Sequence, residues 1–199
     1  DCIHTTAASH GRVFIVEVMG HKVGWLTLYA GIAGGADIIL IPEIPYDIKA
    51  IIEALQKRQR AGSRFSIIVV AEGAISKETA ALSKKERKTK LASRRYPSVA
   101  YEIGAEIQAI TGQEVRVTVP GHTQRGGAPN PYDRVLSSRL GARAAKLISE
   151  GRFGEMVVIR NNEITSIPLE ESAGKLKTVD PNSSIVEEAR LLGLSFGDR

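Results

Sequence analysis

Three short apolar runs rich in β-branched residues, Val13 to Met19, Ile38 to Ile41 and Phe65 to Val70, constrain this chain more than any other feature. The first and third read as buried strands, and the second as a strand stopped at Pro42. Helical patterns fill the gaps: Trp25 to Ile32 reads as one helix, and Ile48, Ile51, Ile52 and Leu55 fall at i, i+3, i+4 and i+7 of another. Strands alternating with crossover helices build a largely parallel sheet, so the expected class is α/β, three layers α/β/α around a mostly parallel sheet.

The rest of the chain continues in kind. Val99 to Ile110 reads as a helix ended by Gly112, and Glu114 to Val119 as a strand. Leu136, Leu140, Ala144 and Leu147 mark one face of a helix that begins near Pro131 and ends before Gly151. Met156 to Ile159 and Ile164 to Pro168 read as short strands joined at the turn-prone pair Asn161-Asn162. Ser184 to Leu192 reads as a last helix, after Pro181 and before Gly193.

At 43% hydrophobic and 25% charged residues over 199 positions, the composition is that of a globular protein with enough chain to bury a core. The only cysteine, Cys2, has no internal disulfide partner, and no segment combines a basic start, an apolar middle and a small-residue cleavage site. Both observations point to the cytoplasm. No apolar run approaches the roughly 18 to 20 residues of a bilayer span, and no membrane role is expected. Cys2, His4 and His10 lack a four-ligand pattern, so no zinc site is expected.

The net charge of +5 has a local source. Lys84, Lys85, Arg87, Lys88, Lys90, Arg94 and Arg95, with Glu86, carry a net +6, which leaves the remainder within about one charge of neutral. A solvated helix face, a mobile loop and a polyanion or effector contact all stay open for this stretch. No aromatic residue interrupts it before Tyr96, so it makes no stacking platform and no nucleic-acid partner is expected.

A second group of cations has a loop to organise it. Arg116, His122, Arg125 and Arg134 lie on a stretch that runs from an apparent strand through Gly121-His-Thr-Gln-Arg-Gly-Gly127 into a helix that carries Asp133-Arg134. Guanidinium groups bind phosphate oxygens bidentately, loop glycines let backbone N–H groups approach, and a helix N-terminus adds partial positive charge. The junction suits a sugar phosphate.

This segment has a basic residue, four others, a small residue, His-x-Gln-Arg-Gly-Gly, five more and then Asp-Arg, and in this it resembles the 6-phosphofructokinases. A second block, Arg12-Val-Phe-Ile-Val-Glu-Val-Met-Gly20, is similar to the sugar-binding region of the same family. It continues to Gly24-Trp25, Ala33-Gly34-Gly35-Ala36-Asp37 and Ile41-Pro42-Glu43. The resemblance covers nearly the whole chain but only the later part of a phosphofructokinase. The family's glycine-rich donor loops and its Thr-Ile-Asp-Asn-Asp type motif, with the catalytic aspartate, have no counterpart here. Gly31 to Gly35 is too apolar and poorly spaced to substitute for a phosphate loop. With Asp1 in place of Met at its start, the chain reads as a fragment that holds no catalytic residue and is inactive alone.

The resemblance implies transfer of a phosphoryl group to the 1-hydroxyl of fructose 6-phosphate in glycolysis. ATP and Mg2+ would serve the parent enzyme, with pyrophosphate as the alternative donor, and none would be bound by this chain alone. By the same resemblance, Met19, Gly20, Glu72 and Arg125 hold sugar hydroxyls and His122 joins the 6-phosphate. Arg12 and Arg116 reach that phosphate from a neighbouring subunit, which makes the protein a homo-oligomer, dimer or tetramer. Residues 1–122 would form the fructose 6-phosphate-binding lobe, 123–175 a segment of the nucleotide-binding lobe, and 176–199 a helix returning to the sugar lobe. The middle segment would then have lost its host sheet and expose apolar surface. A noncatalytic sugar-phosphate-binding module is the alternative of another class.

Read without the resemblance, Glu72 is a solvated strand-end carboxylate, Met19 a core residue, and Arg12 and Arg116 strand-edge charges. Asp133 and Arg134 can act at the helix start without touching substrate. The chain also departs from the family: His21 follows Met19-Gly20 where many members have arginine, which puts a phosphate-donor contact there in doubt. Allosteric members carry several basic residues just before the strand leading to Glu72. Here only Arg64 is cationic between Ala61 and Phe65, so effector regulation is not carried over, although Asp37 stands where those enzymes have an acidic metal-binding residue.

Overall fold

The computed structural model describes residues 2–199, His10 by its backbone alone. The elements run α1 (Cys2–His10), β1 (Val13–Val18), α2 (Trp25–Ala33), β2 (Ile38–Leu40), α3 (Ile48–Arg60), β3 (Ser66–Ala71), α4 (Lys77–Ala80), α5 (Lys84–Ala92), α6 (Val99–Thr111), β4 (Val115–Thr118), α7 (Pro131–Ser149), β5 (Glu155–Arg160), β6 (Glu163–Pro168) and α8 (Ser184–Leu191). They form two compact units, one made of the chain up to Gln124 together with Lys177–Arg199, the other of Arg125–Leu176.

The larger unit is built on a parallel sheet in the order β2-β3-β1-β4. β1 sits inside it, in register with β3 from Val13–Ser66 to Val18–Ala71 and with β4 from Val13–Val115 to Val16–Thr118. Successive side chains of a strand point to opposite faces, and here both faces are covered. Val13, Ile15, Ile38, Leu40, Ile68 and Val70 meet Ile51 and Leu55 of α3 and Ile103 and Ile107 of α6. Phe14, Val18, Ile39, Ile67 and Val69 meet Ala7 of α1, Leu28 of α2, and Val186 and Ala189 of α8. This double cover is why the strands read as continuous apolar runs, and it confirms the three-layer α/β class.

The C-terminal segment closes the β2 edge. Ile39 N–H donates to Ser195 O at 2.8 Å, Ser195 N–H donates to Asp37 O at 3.0 Å, and Phe196 is fully buried. Arg190 of α8 forks onto Asp198 at 2.7 and 3.0 Å and lies over the Phe196 ring. Burial pushes the Asp198 carboxyl up, but the Arg190 hydrogen bonds and charge outweigh it and hold its pKa below the usual range.

The smaller unit has one helix and one hairpin. Asn130 caps α7, its side chain accepting the Asp133 N–H at 2.9 Å, and Pro131 opens the first turn. β5 and β6 pair antiparallel about Asn161 and Asn162, with φ of 49° and 64°, the left-handed pair of a tight hairpin turn. Leu147 is its only buried apolar residue, while Tyr132, Val135, Ile148 and Phe153 are exposed.

Several elements differ from the sequence reading, the short helix α4 over Lys77–Ala80 among them. α1 was not expected, and the basic stretch forms a helix, α5, fixed by a reciprocal Ser83–Glu86 capping box and with no buried residue. β1 also ends one residue early: the Met19 N–H leaves the ladder for the Gln124 side chain.

Candidate functional site

In a parallel α/β sheet, ligands bind beyond the carboxyl ends of the strands. Here the ends of β3, β1 and β4 lie side by side. They bring Glu72, Met19 and the Val119–Gln124 segment around a cavity of about 120 Å³, with Glu17 on its wall.

The cavity rests on a dense set of backbone contacts. Glu72 Oε1 accepts the N–H groups of Gly20, at 3.1 Å, and His21, at 2.6 Å. The preceding N–H, that of Met19, donates to Gln124 Oε1 at 3.2 Å. Three consecutive N–H groups of the β1-end turn are thus held by two side chains from other strand ends. His21 has a φ of 54°, and its carbonyl oxygen comes so close to Gly73 that a Cβ there would sit 2.1 Å away. Only glycine fits after Glu72. Glu17, buried within β1, accepts the Ala100 N–H at 3.0 Å and so ties the start of α6 to the pocket wall.

Of the residues singled out in the sequence, Met19, Glu72 and His122 line this cavity, and Gly20 belongs to the turn beside it. His122 is exposed on a 3-10 turn, Gly121–Arg125. Arg125, also exposed, ends that turn and begins the smaller unit. Arg12 and Arg116 are elsewhere. They flank Glu114 at the N-terminal end of β1 and β4, Arg12 at 2.5 Å from its carboxylate and Arg116 on the other oxygen. At about 3.3 Å per residue, Arg12 lies roughly 23 Å along β1 from Met19, beyond the reach of any side chain. One copy of the chain does not bring the two arginines to the Met19–Glu72–His122 pocket.

Arg134 Nε donates to Pro129 O at 3.0 Å, a contact at the start of α7. Asp37 has both oxygens engaged, Oδ1 by Arg58 at 2.8 Å and Oδ2 by the Ile67 N–H at 2.8 Å, and burial raises its pKa against those two contacts. It does not fit a resident cation. Among the described residues no group of three or more His, Cys, Asp or Glu side chains is placed to hold a metal ion. A larger cleft of about 600 Å³ runs past Asp37, Lys57, Arg58, Arg190 and Arg199. Its inner guanidiniums are already paired with Asp37 and Asp198, which leaves little there for an anion.

Three contributors were missed in the sequence. Glu17 was legible as the one charge inside an apolar strand, a pattern that demands a buried partner. Gly73 directly follows Glu72, and Gln124 stands in the cation loop, yet neither was assigned a role.

The Phosphofructokinase family pattern matches residues 1–148. An ATP-dependent 6-phosphofructokinase of Spirochaeta thermophila is 55% identical over 198 residues, covering 100% of this chain and 54% of that protein. The chain spans about half the length of the curated relatives it matches. Among solved structures, the phosphofructokinase of Saccharomyces cerevisiae superposes with a TM-score of 0.68 at 36% identity, over 86% of this chain and 22% of that one. A pyrophosphate-dependent phosphofructokinase from Nitrosospira multiformis reaches 0.73 at 19% identity, over 92% and 46%, and shares the fold alone at that distance. With its parallel sheet, its strand-end pocket and these matches, the chain belongs to the phosphofructokinase family.

Proposed function

We propose that this chain carries the acceptor site of an ATP-dependent 6-phosphofructokinase, the part that binds fructose 6-phosphate for phosphorylation at its 1-hydroxyl. The observation that carries this reading is the convergence of Met19, Glu72 and His122 at three adjacent strand ends. Glu72 is acceptor-only when ionised; its Oε1 holds the turn, and Oε2 is left for a sugar hydroxyl. His122 and Arg125 supply donors for the phosphate end and the hydroxyls. ATP is favoured as donor because the relatives of 43 to 55% identity carry that name.

Arg12 and Arg116, roughly a strand length from the pocket, serve the phosphate of a second copy, so the working form is an oligomer with shared sites. The larger unit is the sugar lobe and Arg125–Leu176 part of the nucleotide lobe. ATP and its magnesium are held, on this reading, by residues outside this chain, and phosphoryl transfer does not proceed on it alone. Positioning and charge stabilisation dominate such chemistry, and this chain supplies the positioning. A glycolytic role places the protein in the cytoplasm; no described helix is long and apolar enough to cross a membrane.

Calorimetric titration of fructose 6-phosphate into the chain tests the site. Saturable binding is expected, with Arg125→Ala weakening it by about 1.5 to 3 kcal/mol, as for hydrogen bonds to charged groups. An unchanged dissociation constant removes Arg125 from the site, and no binding by the folded chain removes the reading.

A further inference from the structure

Gln124 lies between His122 and Arg125 in the loop, and its oxygen takes the Met19 N–H across 105 residues of chain. A backbone N–H only donates, so this bond fixes which end of the amide is oxygen. The other end, Nε2, is buried without a hydrogen-bond partner. A side chain kept in that state is set by the contact its oxygen makes. What the contact controls is specific. With Met19 held by Gln124, and Gly20 and His21 held by Glu72, the β1-end turn is pinned from the β4 side and the β3 side at once. Glu72 alone grips the far half of the turn and leaves the Met19 end free to rejoin the ladder or swing out.

We propose that Gln124 is a positioning residue of the acceptor pocket, holding the Met19 N–H so that the Met19–His21 turn presents a fixed backbone to the sugar portion of a phosphorylated sugar. This rests on the acceptor-site reading above. Gln124 acts through Met19, so sugar recognition depends on it and phosphate recognition does not.

Two variants and two probes test this on the full chain. Gln124→Met fills the same space without an acceptor, and Gln124→Glu retains an acceptor oxygen. The probes are fructose 6-phosphate and inorganic phosphate, titrated calorimetrically, and backbone hydrogen exchange is read on peptides spanning Met19–His21 and β3. In Gln124→Met, fructose 6-phosphate binding is expected to weaken roughly tenfold, the loss of one buried hydrogen bond. Inorganic phosphate should bind as before, and exchange should rise in the Met19 peptide but not in β3. Gln124→Glu should restore protection of the Met19 peptide, whatever its charge does to anion binding. Equal loss for both probes, or a rise in exchange throughout the sheet, shows a merely structural residue and overturns the proposal. Unchanged exchange at Met19 in Gln124→Met overturns it as well. If the unaltered chain binds neither probe, the acceptor-site reading and the sugar half of the proposal fall together, while the exchange data still decide whether Gln124 holds the turn.

Discussion

The two compact units draw on the same kinds of element and differ in what covers them. In the larger one, β1 and β3 are sealed on both faces, and Ile15, Ile68 and Val70 are fully buried. In the smaller one, β5 and β6 have each other as their only sheet partners, and their residues are half-buried or exposed. A two-stranded hairpin under one helix is marginal in water, because its outer edges stay unpaired and its faces stay wet. Element pattern and core are therefore separate properties: α7-β5-β6 is as clear a pattern as α2-β2, yet only α2-β2 is packed into a two-faced core. The pocket of Met19, Glu72 and His122 lies in the well-covered unit.

The sharpest test compares one core residue from each unit. Ile15→Ala removes a fully buried side chain at the centre of the four-stranded sheet, where neighbours cannot collapse into the space, and is expected to cost about 3 to 5 kcal/mol. Leu147→Ala removes the one buried apolar side chain of the smaller unit and is expected to cost about 2 kcal/mol, because a half-open site relaxes. Urea unfolding followed by hydrogen exchange checks both. The Leu147 effect should stay within Arg125–Leu176, and a Leu147 cost that equals or exceeds the Ile15 cost would erase the distinction between the units.

The hairpin gives a smaller effect. Asn162 holds a φ of 64° at the β5–β6 turn, where a Cβ-bearing side chain other than Asn or Asp is disfavoured. Asn162→Ala is expected to cost about 1 kcal/mol, and Asn162→Gly to be neutral or slightly stabilising. If the hairpin were held mainly by packing, the two substitutions would be indistinguishable in unfolding midpoint and in exchange along β5.

Much of this architecture was legible because burial leaves a local signature. The alternation of Ile67 and Ile68 toward opposite helices is written as an unbroken apolar run, and the Asn161-Asn162 pair marks its turn. α5 was readable too, since Ser83 and Glu86 have capping-box spacing, but its run of like charges argued equally for a loop. α1 carries Thr, Ala and Ser where a clear apolar stripe would be needed; Ala7 is buried in the core and half-buried Ile3 packs against it. The site divides the same way. Glu72 could be placed at a strand end from sequence, whereas the contacts of Gln124 with Met19 and of Glu17 with Ala100 join residues 105 and 83 positions apart. Such bonds follow from the path of the chain in space, which no local pattern encodes. The separation of Arg12 from Met19, by contrast, was legible, because Val13 to Met19 already reads as one strand running between them.

The larger unit has a weak point of its own, and it gives the smallest expected effect. Beside α6, a cleft of about 220 Å³ is lined by the carboxylates of Asp47, Glu78, Glu102 and Glu106 and by Lys49, Lys77 and Lys90. Burial raises the Glu106 pKa, the charges of Glu102 and Glu78 raise it further, and Lys90 opposes them. A carboxyl whose folded pKa lies above its unfolded value binds its proton more tightly in the native state. Its contribution to stability is therefore fully present below the unfolded pKa, about 4.3 for glutamate, and is lost as pH rises through the folded value. Glu106→Gln keeps the shape and removes the charge, so it should leave stability unchanged near pH 4 and raise it slightly at pH 7. Because the site is partly solvated, the gain should shrink further in high salt. Unfolding midpoints of the two proteins across this pH range decide the matter. A gain that appears at low pH, or a loss at neutral pH, would mean that the Glu106 carboxylate is held by Lys90 as a partner and does not suffer from its neighbours.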